Sequence, residues 1–191
     1  MNQPAKTRRT QAERRAQSRQ AVLDSACQLF GEKGYADTSL EEISANCGLT
    51  IRPVYHYFGN KKALFAAVNE VMEQRIIDSM VDGADLLENW HAYLELSEDP
   101  AFRRIVLIDS PNVLGRERWP TSPVAERVRE SMGTGKGADE AERFRSTLLN
   151  AVVMGAFAEA ALTVAAAEDI VMAKEEAENL MVALFSGVLT R

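Results

Sequence analysis

The stretch from Ser39 to Phe58, SLEEISANCGLTIRPVYHYF, carries two short apolar repeats with a single glycine between them. The apolar positions recur at helical spacing on each side of that glycine: Leu40, Ile43 and Cys47 before Gly48, then Leu49, Val54 and Phe58 after it. Each helix would have only about two turns, and isolated helices of that length are not stable in water. The pair must therefore be held by packing against a third element.

Capping residues predict where the helices of this region begin. Ser39 followed by Glu42 has the spacing of a capping box, which starts a helix directly after the serine. Pro53 is tolerated only in the first turn of a helix, so the next helix begins close to Ile51, with Thr50 as its N-cap. An apolar helical face precedes both helices and contains Val22, Ala26, Leu29 and Phe30. The sequence thus predicts three consecutive helices.

The rest of the chain also reads as helical. No proline occurs after Pro123, and two long helices are predicted there, at about residues 140–167 and 170–189. No segment of convincing length alternates apolar and polar residues with period two, the pattern of a β-strand. The predicted fold class is therefore all-α.

Charge is distributed unevenly along the chain. The whole sequence has a net charge of −6, but residues 1–62 contain ten Lys and Arg against six Asp and Glu, a net +4. The remainder has 12 basic and 22 acidic residues, a net −10. A basic head on an acidic body indicates a polyanionic partner for the head alone. The alternative is a solvated charged arm that has no partner.

Two short helices joined at a glycine and packed on a third form a helix-turn-helix, whose second helix fits the major groove of DNA. A helical wheel turns Arg52 and His56 directly outward, with Tyr55 and Tyr57 on opposite flanks. Arginine can bind guanine O6 and N7 together, which is worth about 1–3 kcal/mol of base discrimination. Tyrosine hydroxyls and Lys61 suit phosphate oxygens. The two tyrosines have a second interpretation, as side chains that fill the gap between helices.

From about Gln17 to Arg75 the sequence resembles the DNA-binding domain of the TetR-type transcriptional repressor family. The resemblance depends on AVLDSACQLFGEKGYADTSLEEISANCGLTIRPVYHYFGNKKALFAAV, which contains in order an apolar helix, F…GY…TS…I…GL, VYHYF and NKKALF. An ordered motif set of this length is far more specific than a single helix-turn-helix pattern. The resemblance implies a sequence-specific transcriptional regulator, a repressor released from a palindromic operator on double-stranded DNA by a small-molecule ligand.

The resemblance also implies roles for individual residues. Contacts to phosphates are expected from Thr38, Thr50, Tyr57 and Lys61. Positions at or near base edges are expected for Ile51, Arg52, Pro53, Tyr55 and His56. Ile51 cannot hydrogen-bond a base, but it can touch a thymine methyl group. Arg52 replaces the small residue common at its position, so the operator sequence cannot be taken from any relative.

These observations predict three parts of the chain. Residues 1–16 form a basic arm, which either reaches an adjacent groove or phosphate or remains a solvated tail. Residues 17–75 form the helix-turn-helix DNA-binding domain, and residues 76–191 form a helical regulatory and dimerisation domain. We expect a ligand in the second domain to act through a rigid-body change transmitted by the helix that begins near Lys61.

The two long C-terminal helices carry more apolar surface than one neighbour can cover. One face of the first contains Phe144, Leu148, Val152, Gly155, Glu159 and Leu162, and the second has a matching stripe with Ala177, Leu180, Leu184 and Val188. We expect a homodimer whose four-helix interface takes these two helices from each subunit. An intramolecular helical core is the alternative. A dimer would place two recognition helices about 34–36 Å apart, on successive major grooves of a palindrome.

Candidates for the small-molecule site come from the middle and late helices: Trp90, Tyr93, Phe102, Ile105, Asp109, Phe144 and Met154. Aromatic side chains at helical spacing belong to a core more often than to a ligand site. Asp109 follows an apolar run, so its carboxylate either faces a cavity or caps the SPNV segment after it. No ligand class follows from these residues.

Other function classes have little support in the sequence. Cys27 and Cys47 have no metal-ligand spacing, so neither a metal nor a cofactor is expected. The GTGKG segment at residues 133–137 lacks the first glycine and the final Ser/Thr of a phosphate loop, and His91 has no acid or nucleophile pattern nearby, so no enzyme is expected. The acidic body argues against a non-specific architectural DNA binder. Without a signal sequence or an apolar run of about 18 residues, we expect a cytoplasmic protein with no membrane partner.

Overall fold

The computed structural model describes residues 10–81, 86–115, 118, 121–131 and 139–189 of the chain. Its helices are α1 (Gln11–Lys33), α2 (Leu40–Asn46), α3 (Ile51–Phe58), α4 (Lys61–Ser79), α5 (Leu86–Leu96), α6 (Pro100–Phe102), a π-helical segment (Arg103–Asp109), α7 (Ser110–Val113), α8 (Pro123–Ser131), α9 (Glu140–Ala165) and α10 (Ile170–Leu189). No strand occurs in the described ranges, and the all-α prediction is confirmed. Residues 1–9 of the predicted arm, the GTGKG segment and the Val188 side chain lie outside the description.

Helix α1 begins at Gln11, inside the segment predicted to be a basic arm. Thr10 is its N-cap: the threonine hydroxyl accepts a hydrogen bond from the Glu13 backbone N–H at 3.2 Å. In return, the Glu13 carboxylate accepts from the Thr10 backbone N–H at 2.7 Å. This capping box satisfies two helix-end donors, and it makes residues 11–16 helical instead of part of the predicted arm.

Helices α2 and α3 are held against α1 by a small apolar core. Phe30 of α1, Ile43 of α2 and Val54 of α3 are all at most 1% exposed. Phe30 also packs edge-to-face on Phe65 of α4, with ring centroids 5.2 Å apart. Gly48, with φ of 69°, supplies the left-handed turn between α2 and α3. The first three helices therefore have the helix-turn-helix arrangement predicted from the sequence.

The chain divides into two compact units, one up to Val68 and the other from Asn69 onward. The boundary predicted after residue 75 lies in the same helix, α4. In the second unit, α5, α8, α10 and the π-helical segment all pack against α9. The segments from α6 to α7 follow one another without a break, and Asp99 caps their start by accepting from the Ala101 backbone N–H at 2.9 Å.

Helix α9 has apolar side chains on two opposite faces. Its inner face is buried and includes Val153, Phe157, Ala161 and Val164. Its outer face is exposed, with exposed fractions of 70% for Phe144, 55% for Leu148 and 57% for Val152. Buried polar residues on the inner face, Ser146 and Asn150, interrupt the apolar pattern.

By length and composition alone, α9 is long and apolar enough to cross a membrane, with a mean hydropathy of 1.7 over 18 residues. This finding qualifies the expectation that no segment reaches that length, although Asn150 and Glu159 break the apolar run. A single such helix is weak evidence, because core helices of soluble proteins pass the same test. Among the described residues, no other helix meets the criterion.

Glu73 is a buried carboxylate of the second unit, with its side chain 4% exposed. The two terminal nitrogens of the Arg118 guanidinium lie 3.0 and 3.3 Å from its two oxygens. Asn69 Nδ2 also donates to the carboxylate, at 2.7 Å. Burial raises the pKa of Glu73, and the positive charge of Arg118 opposes that rise. Arg118 therefore limits the cost of keeping this carboxylate ionised.

Arg118→Gln should make the free energy of unfolding fall more steeply as pH rises. A carboxyl group whose pKa is raised by folding binds more protons in the folded state, so stability is lost between its ordinary pKa and its folded pKa. Removing Arg118 raises the folded pKa further. We expect the free energy of unfolding to fall by about 2–3 kcal/mol at neutral pH. This is less than the cost of breaking a fully buried ion pair, because Arg118 is 29% exposed.

Urea unfolding at mildly acidic and mildly alkaline pH measures this effect, and the loss should be smaller at acidic pH. Arg127→Gln is the control, because it removes a pair with Glu130 at 3.7 Å whose carboxylate is 64% exposed. An Arg118→Gln loss that is the same at both pH values would contradict the account of Glu73.

Candidate nucleic-acid interface

Helix α3 presents a polar face to solvent, made by Arg52, Tyr55 and His56. Arg52 and His56 are exposed one turn apart, and Tyr55 is 50% exposed. Val54, on the other side of the helix, is 1% exposed. Thr50 is exposed at the N-cap position, and its hydroxyl makes no capping hydrogen bond. The polar face therefore combines a guanidinium, a phenol and an imidazole, in the orientation predicted by the helical wheel.

Three further residues predicted to contact DNA are half-buried: Ile51, Pro53 and Tyr57. The Tyr57 ring lies 5.3 Å from the His56 ring, measured between centroids, and 6.4 Å from the Phe58 ring. Both rings belong to the neighbours of Tyr57 on α3, so these contacts do not decide between the two interpretations of Tyr57.

An arginine of α1 contacts the exposed histidine of α3. Arg15 Nη2 lies 3.1 Å from His56 Nε2. A guanidinium can only donate, so Arg15 is the donor in this contact and the ring nitrogen is the acceptor. Arg19, one turn further along α1, lies over the Phe58 ring at 5.1 Å from its centroid. Sequence reasoning missed Arg15 because it assigned this residue to the arm, and the capping box was the signal that would have placed it on α1.

Thr38, predicted to contact a phosphate, is 2% exposed. Its hydroxyl donates inside the protein, towards the carbonyl oxygens of Gly34 at 2.8 Å and Leu29 at 3.2 Å. The side chain closes the turn between α1 and α2, which corrects the phosphate role predicted for it. The exposed neighbour, Ser39, caps α2 by accepting from the Glu42 backbone N–H at 3.1 Å.

Lys61, also predicted to contact a phosphate, is half-buried and has partners within its own unit. Its Nζ donates to the Ala36 carbonyl oxygen at 3.2 Å and lies 4.4 Å from the centroid of the Tyr35 ring. The ammonium therefore fastens the start of α4 to the turn after α1, and any DNA contact would compete with these interactions.

A shallow depression beside the start of α2 brings several predicted residues together. Its lining includes Thr38, Tyr55 and Lys61. The same lining contains three carboxylates, those of Asp37, Glu41 and Glu42. Negative side chains outnumber positive ones here, so this depression is a poor phosphate site, and the positive charge nearest the polar face comes from α1 and α3.

The second unit contains a cavity of about 350 Å³, within the range of small-molecule pockets. Its apolar lining comes from Val106, Leu107, Pro111, Ala151, Met154, Gly155, Ala158 and Leu162, and its polar lining from Tyr93, Asn150 and Glu159. Two of the seven predicted ligand residues, Tyr93 and Met154, are therefore part of the lining. Asn150 was missed, although a lone amide in an apolar helix was a visible signal.

The other five predicted ligand residues lie elsewhere. Trp90, Phe102 and Ile105 are 0% exposed and belong to the core. Asp109 pairs at 3.5 Å with an arginine of its own π-helical segment. Phe144 lies on the outer face of α9. The structure thus separates aromatic residues of the core from those of the cavity, which helical spacing alone did not do.

Two buried polar atoms of the cavity wall have no hydrogen-bond partner within the described residues: the Tyr93 hydroxyl and Asn150 Oδ1. The two residues are 3% and 1% exposed. Burial raises the pKa of the Tyr93 phenol, so the group stays protonated. Asn150 Nδ2 donates to the Ala125 carbonyl oxygen at 3.3 Å, which leaves Oδ1 as an acceptor. A buried polar atom without a partner costs about 1–3 kcal/mol, and both of these atoms are enclosed by protein and do not face the cavity.

The two cysteines, Cys27 and Cys47, are half-buried and form no disulfide. Within the described ranges, no group of three or more histidine, cysteine, aspartate or glutamate side chains is arranged to hold a metal ion. The candidate sites are therefore the polar face of α3 and the cavity of the second unit.

Fold and site together define a helix-turn-helix protein with a separate all-helical second domain. Residues 22–68 match the family model of bacterial regulatory proteins of the tetR family. Residues 84–188 match the model of the tetracyclin repressor-like C-terminal domain. The chain belongs to the TetR family.

Individual relatives agree with this assignment. A TetR-family transcriptional regulator from Pectobacterium atrosepticum superposes with a TM-score of 0.65 and 31% identity, covering 96% of this chain and 99% of the other. The HTH-type transcriptional repressor AcnR of Corynebacterium glutamicum is 28% identical over 136 residues, 63% of this chain and 68% of AcnR. The HTH-type transcriptional regulator AcrR of Shigella flexneri is 38% identical over 60 residues, 31% of this chain. That match spans 28% of AcrR.

Thr38→Val should destabilise the first unit without removing a DNA contact. The change keeps the size of the side chain but removes the donor that serves the Gly34 and Leu29 carbonyls, at a cost of about 1–3 kcal/mol. Urea unfolding measures the loss, and Thr38→Ser, which keeps the hydroxyl, is the control for it. Unchanged stability together with weaker DNA binding by Thr38→Val would restore the phosphate role.

Proposed function

We propose that the protein is a sequence-specific DNA-binding transcriptional regulator whose α3 polar face reads base edges in the major groove. The observation that carries the proposal is the exposure of Arg52 and His56 on a helix whose opposite side is buried through Val54. A major groove about 12 Å wide admits such a helix. The proposed partner is a palindromic operator on double-stranded DNA in the cytoplasm.

Within this proposal the residues of α3 have different tasks. Arg52 donates to guanine O6 and N7, while His56 and Tyr55 lie at neighbouring base edges. Ile51 and Pro53, half-buried at the start of the helix, offer apolar contact to a thymine methyl. Phosphate contacts that set the register come from Thr50 and Tyr57, and from Lys61 when a phosphate replaces its contacts with Ala36 and Tyr35.

Arg52→Ala is expected to weaken binding to the preferred operator by about 1–3 kcal/mol and to relax the preference at one base pair in each half-site. The measurement uses duplexes selected from a random pool, in competition with unrelated DNA at physiological salt. Wild-type protein should prefer the selected duplex by about 10³-fold or more.

Lys62→Ala is the matched control for Arg52→Ala, because Lys62 is exposed at the start of α4, outside the polar face. Any effect of Lys62→Ala should be the same on every sequence. If Arg52→Ala also weakens all sequences equally, Arg52 is a phosphate contact. Equal binding of the wild type to selected and random DNA would overturn the proposed function.

We also propose that the protein acts as a homodimer through α9 and α10. The outer face of α9 is apolar and exposed, and on α10 Leu180 and Leu184 are 55% and 53% exposed. Between them, Met181 is 2% exposed and belongs to the core of its own unit. Extended apolar surface of this kind marks an interaction site. A two-fold axis would join two helices from each subunit and place two copies of α3 on one palindrome.

Leu148→Glu should convert the proposed dimer to a monomer at micromolar concentration. It places an unpaired carboxylate from each subunit in the apolar interface, which should weaken association by about a hundredfold or more. Light scattering coupled to gel filtration measures the mass. Val81→Glu is the control, since Val81 is also apolar and 69% exposed but lies outside α9 and α10. A monomeric wild type, or a dimeric Leu148→Glu protein, would contradict the proposed interface.

Release from the operator by a small molecule bound in the second unit completes the proposed function. AcnR, a relative, is named as a transcriptional repressor, and repression is the proposed mode of action here as well. An effector changes DNA affinity only to the extent that it binds one arrangement of the dimer more tightly than the other. Operator binding measured with and without candidate metabolites tests this step.

A further inference from the structure

Arg15 and His56 connect two helices of the first unit on the protein surface. Arg15 lies on α1 and His56 on α3, 41 positions apart in the chain, and Arg15 Nη2 is 3.1 Å from His56 Nε2. Both side chains are exposed. The contact is therefore not part of the core that holds the three helices together, and it includes one of the three side chains of the α3 polar face.

The position of Arg15 beside α3 is fixed by α1. The capping box of Thr10 and Glu13 starts this helix about one turn before Arg15. One turn after Arg15, Arg19 lies over the Phe58 ring of α3, 5.1 Å from its centroid. Residues four positions apart lie on the same face of a helix, so one face of α1 runs beside the C-terminal half of α3.

The contact with Arg15 limits the orientations available to the His56 ring. An exposed imidazole otherwise rotates about its side-chain torsions, and fixing those torsions on binding costs free energy. Because the N–H groups of a guanidinium lie in one plane, the hydrogen bond favours a narrow range of ring orientations. With Nε2 engaged by Arg15, the other ring nitrogen is the one that remains for a base edge. The arrangement therefore prepares His56 for one hydrogen-bonding geometry.

We propose that Arg15 is a specificity-determining residue for operator recognition, which acts by holding the His56 ring in the orientation that reads one base pair. Arg15 is thus a positioning residue, and its guanidinium does not have to touch a base. The inference rests on the proposed function. It adds a residue of α1 to a recognition surface that otherwise consists of α3.

Selection of operators from a random pool, followed by competition with duplexes changed at each base pair, tests the proposal. His56→Ala should identify the base pair that His56 reads, because the preference there should fall by about three- to tenfold, the value of one hydrogen bond. Arg15→Met keeps a long side chain and removes the donors. It should lower the preference at the same base pair and leave the preferences at other base pairs unchanged. In the double variant the loss should be no larger than in His56→Ala alone, because both changes remove one interaction.

Arg14→Met is the matched control for Arg15→Met. Arg14 is the adjacent exposed arginine of α1, and it has no hydrogen bond to His56 among the described residues. The control removes the same charge from the same turn of the helix. Any loss of DNA affinity that comes from charge alone should therefore be similar in both variants and the same on every sequence.

Nitrogen NMR of the free protein at mildly alkaline pH checks the contact without DNA. The chain contains two histidines, His56 and His91, so the ring signals of His56 are those that disappear in His56→Ala. Arg15→Met should shift the His56 Nε2 signal, because this nitrogen loses its hydrogen-bond donor, and should leave the His91 signals unchanged. Arg14→Met should leave the signals of both histidines unchanged.

Three results would overturn the inference. They are an Arg15→Met loss that is the same on every sequence, which would make Arg15 a phosphate contact, losses that add in the double variant, and an unchanged His56 Nε2 signal in Arg15→Met. A wild type that binds all sequences equally would refute the proposed function, and this inference with it. A wild type whose base preferences are not altered by Arg15→Met would refute this inference alone.

Discussion

Helices α2 and α3 have only seven and eight residues, and helices of that length keep their shape only through tertiary contacts. Those contacts come from the buried side chains of Phe30, Ile43 and Val54, each of which contributes about 1.5–3 kcal/mol. Because one side of α3 is buried in this core, the opposite side of the helix faces solvent. Arg52 and His56 therefore point outward because the apolar side is anchored, and any base readout depends on that packing.

Helix positions could be predicted from the sequence because periodicity and capping are local properties. Ser39 and Pro53 correctly predicted the starts of α2 and α3. The start of α1 at Gln11 was not predicted, because the capping box of Thr10 and Glu13 was not recognised. Hydrogen bonds between distant residues leave no such local pattern. The internal partners of Thr38 and the contact between Arg15 and His56 therefore appeared only in the structure.

The cavity was harder to predict, since large side chains at helical spacing fill cores as readily as they line pockets. Tyr93 lines the cavity, whereas Trp90, only one turn away on α5, is enclosed in the core. Gly155 and Glu159 belong both to the cavity lining and to the predicted dimer face of α9. If both proposals hold, effector and partner subunit contact the same helix, which supplies the differential interaction that coupling between two sites requires.

Operator recognition, as proposed, requires the polar face of α3 to enter the major groove. Methylation interference on a selected operator tests it directly, because guanine N7 lies in the major groove and adenine N3 lies in the minor groove. Methylation of guanine N7 in each half-site should block binding of the wild type, and Arg52→Ala should lose this interference at one guanine of each half-site. Interference confined to adenine N3, with none at guanine N7, would contradict it.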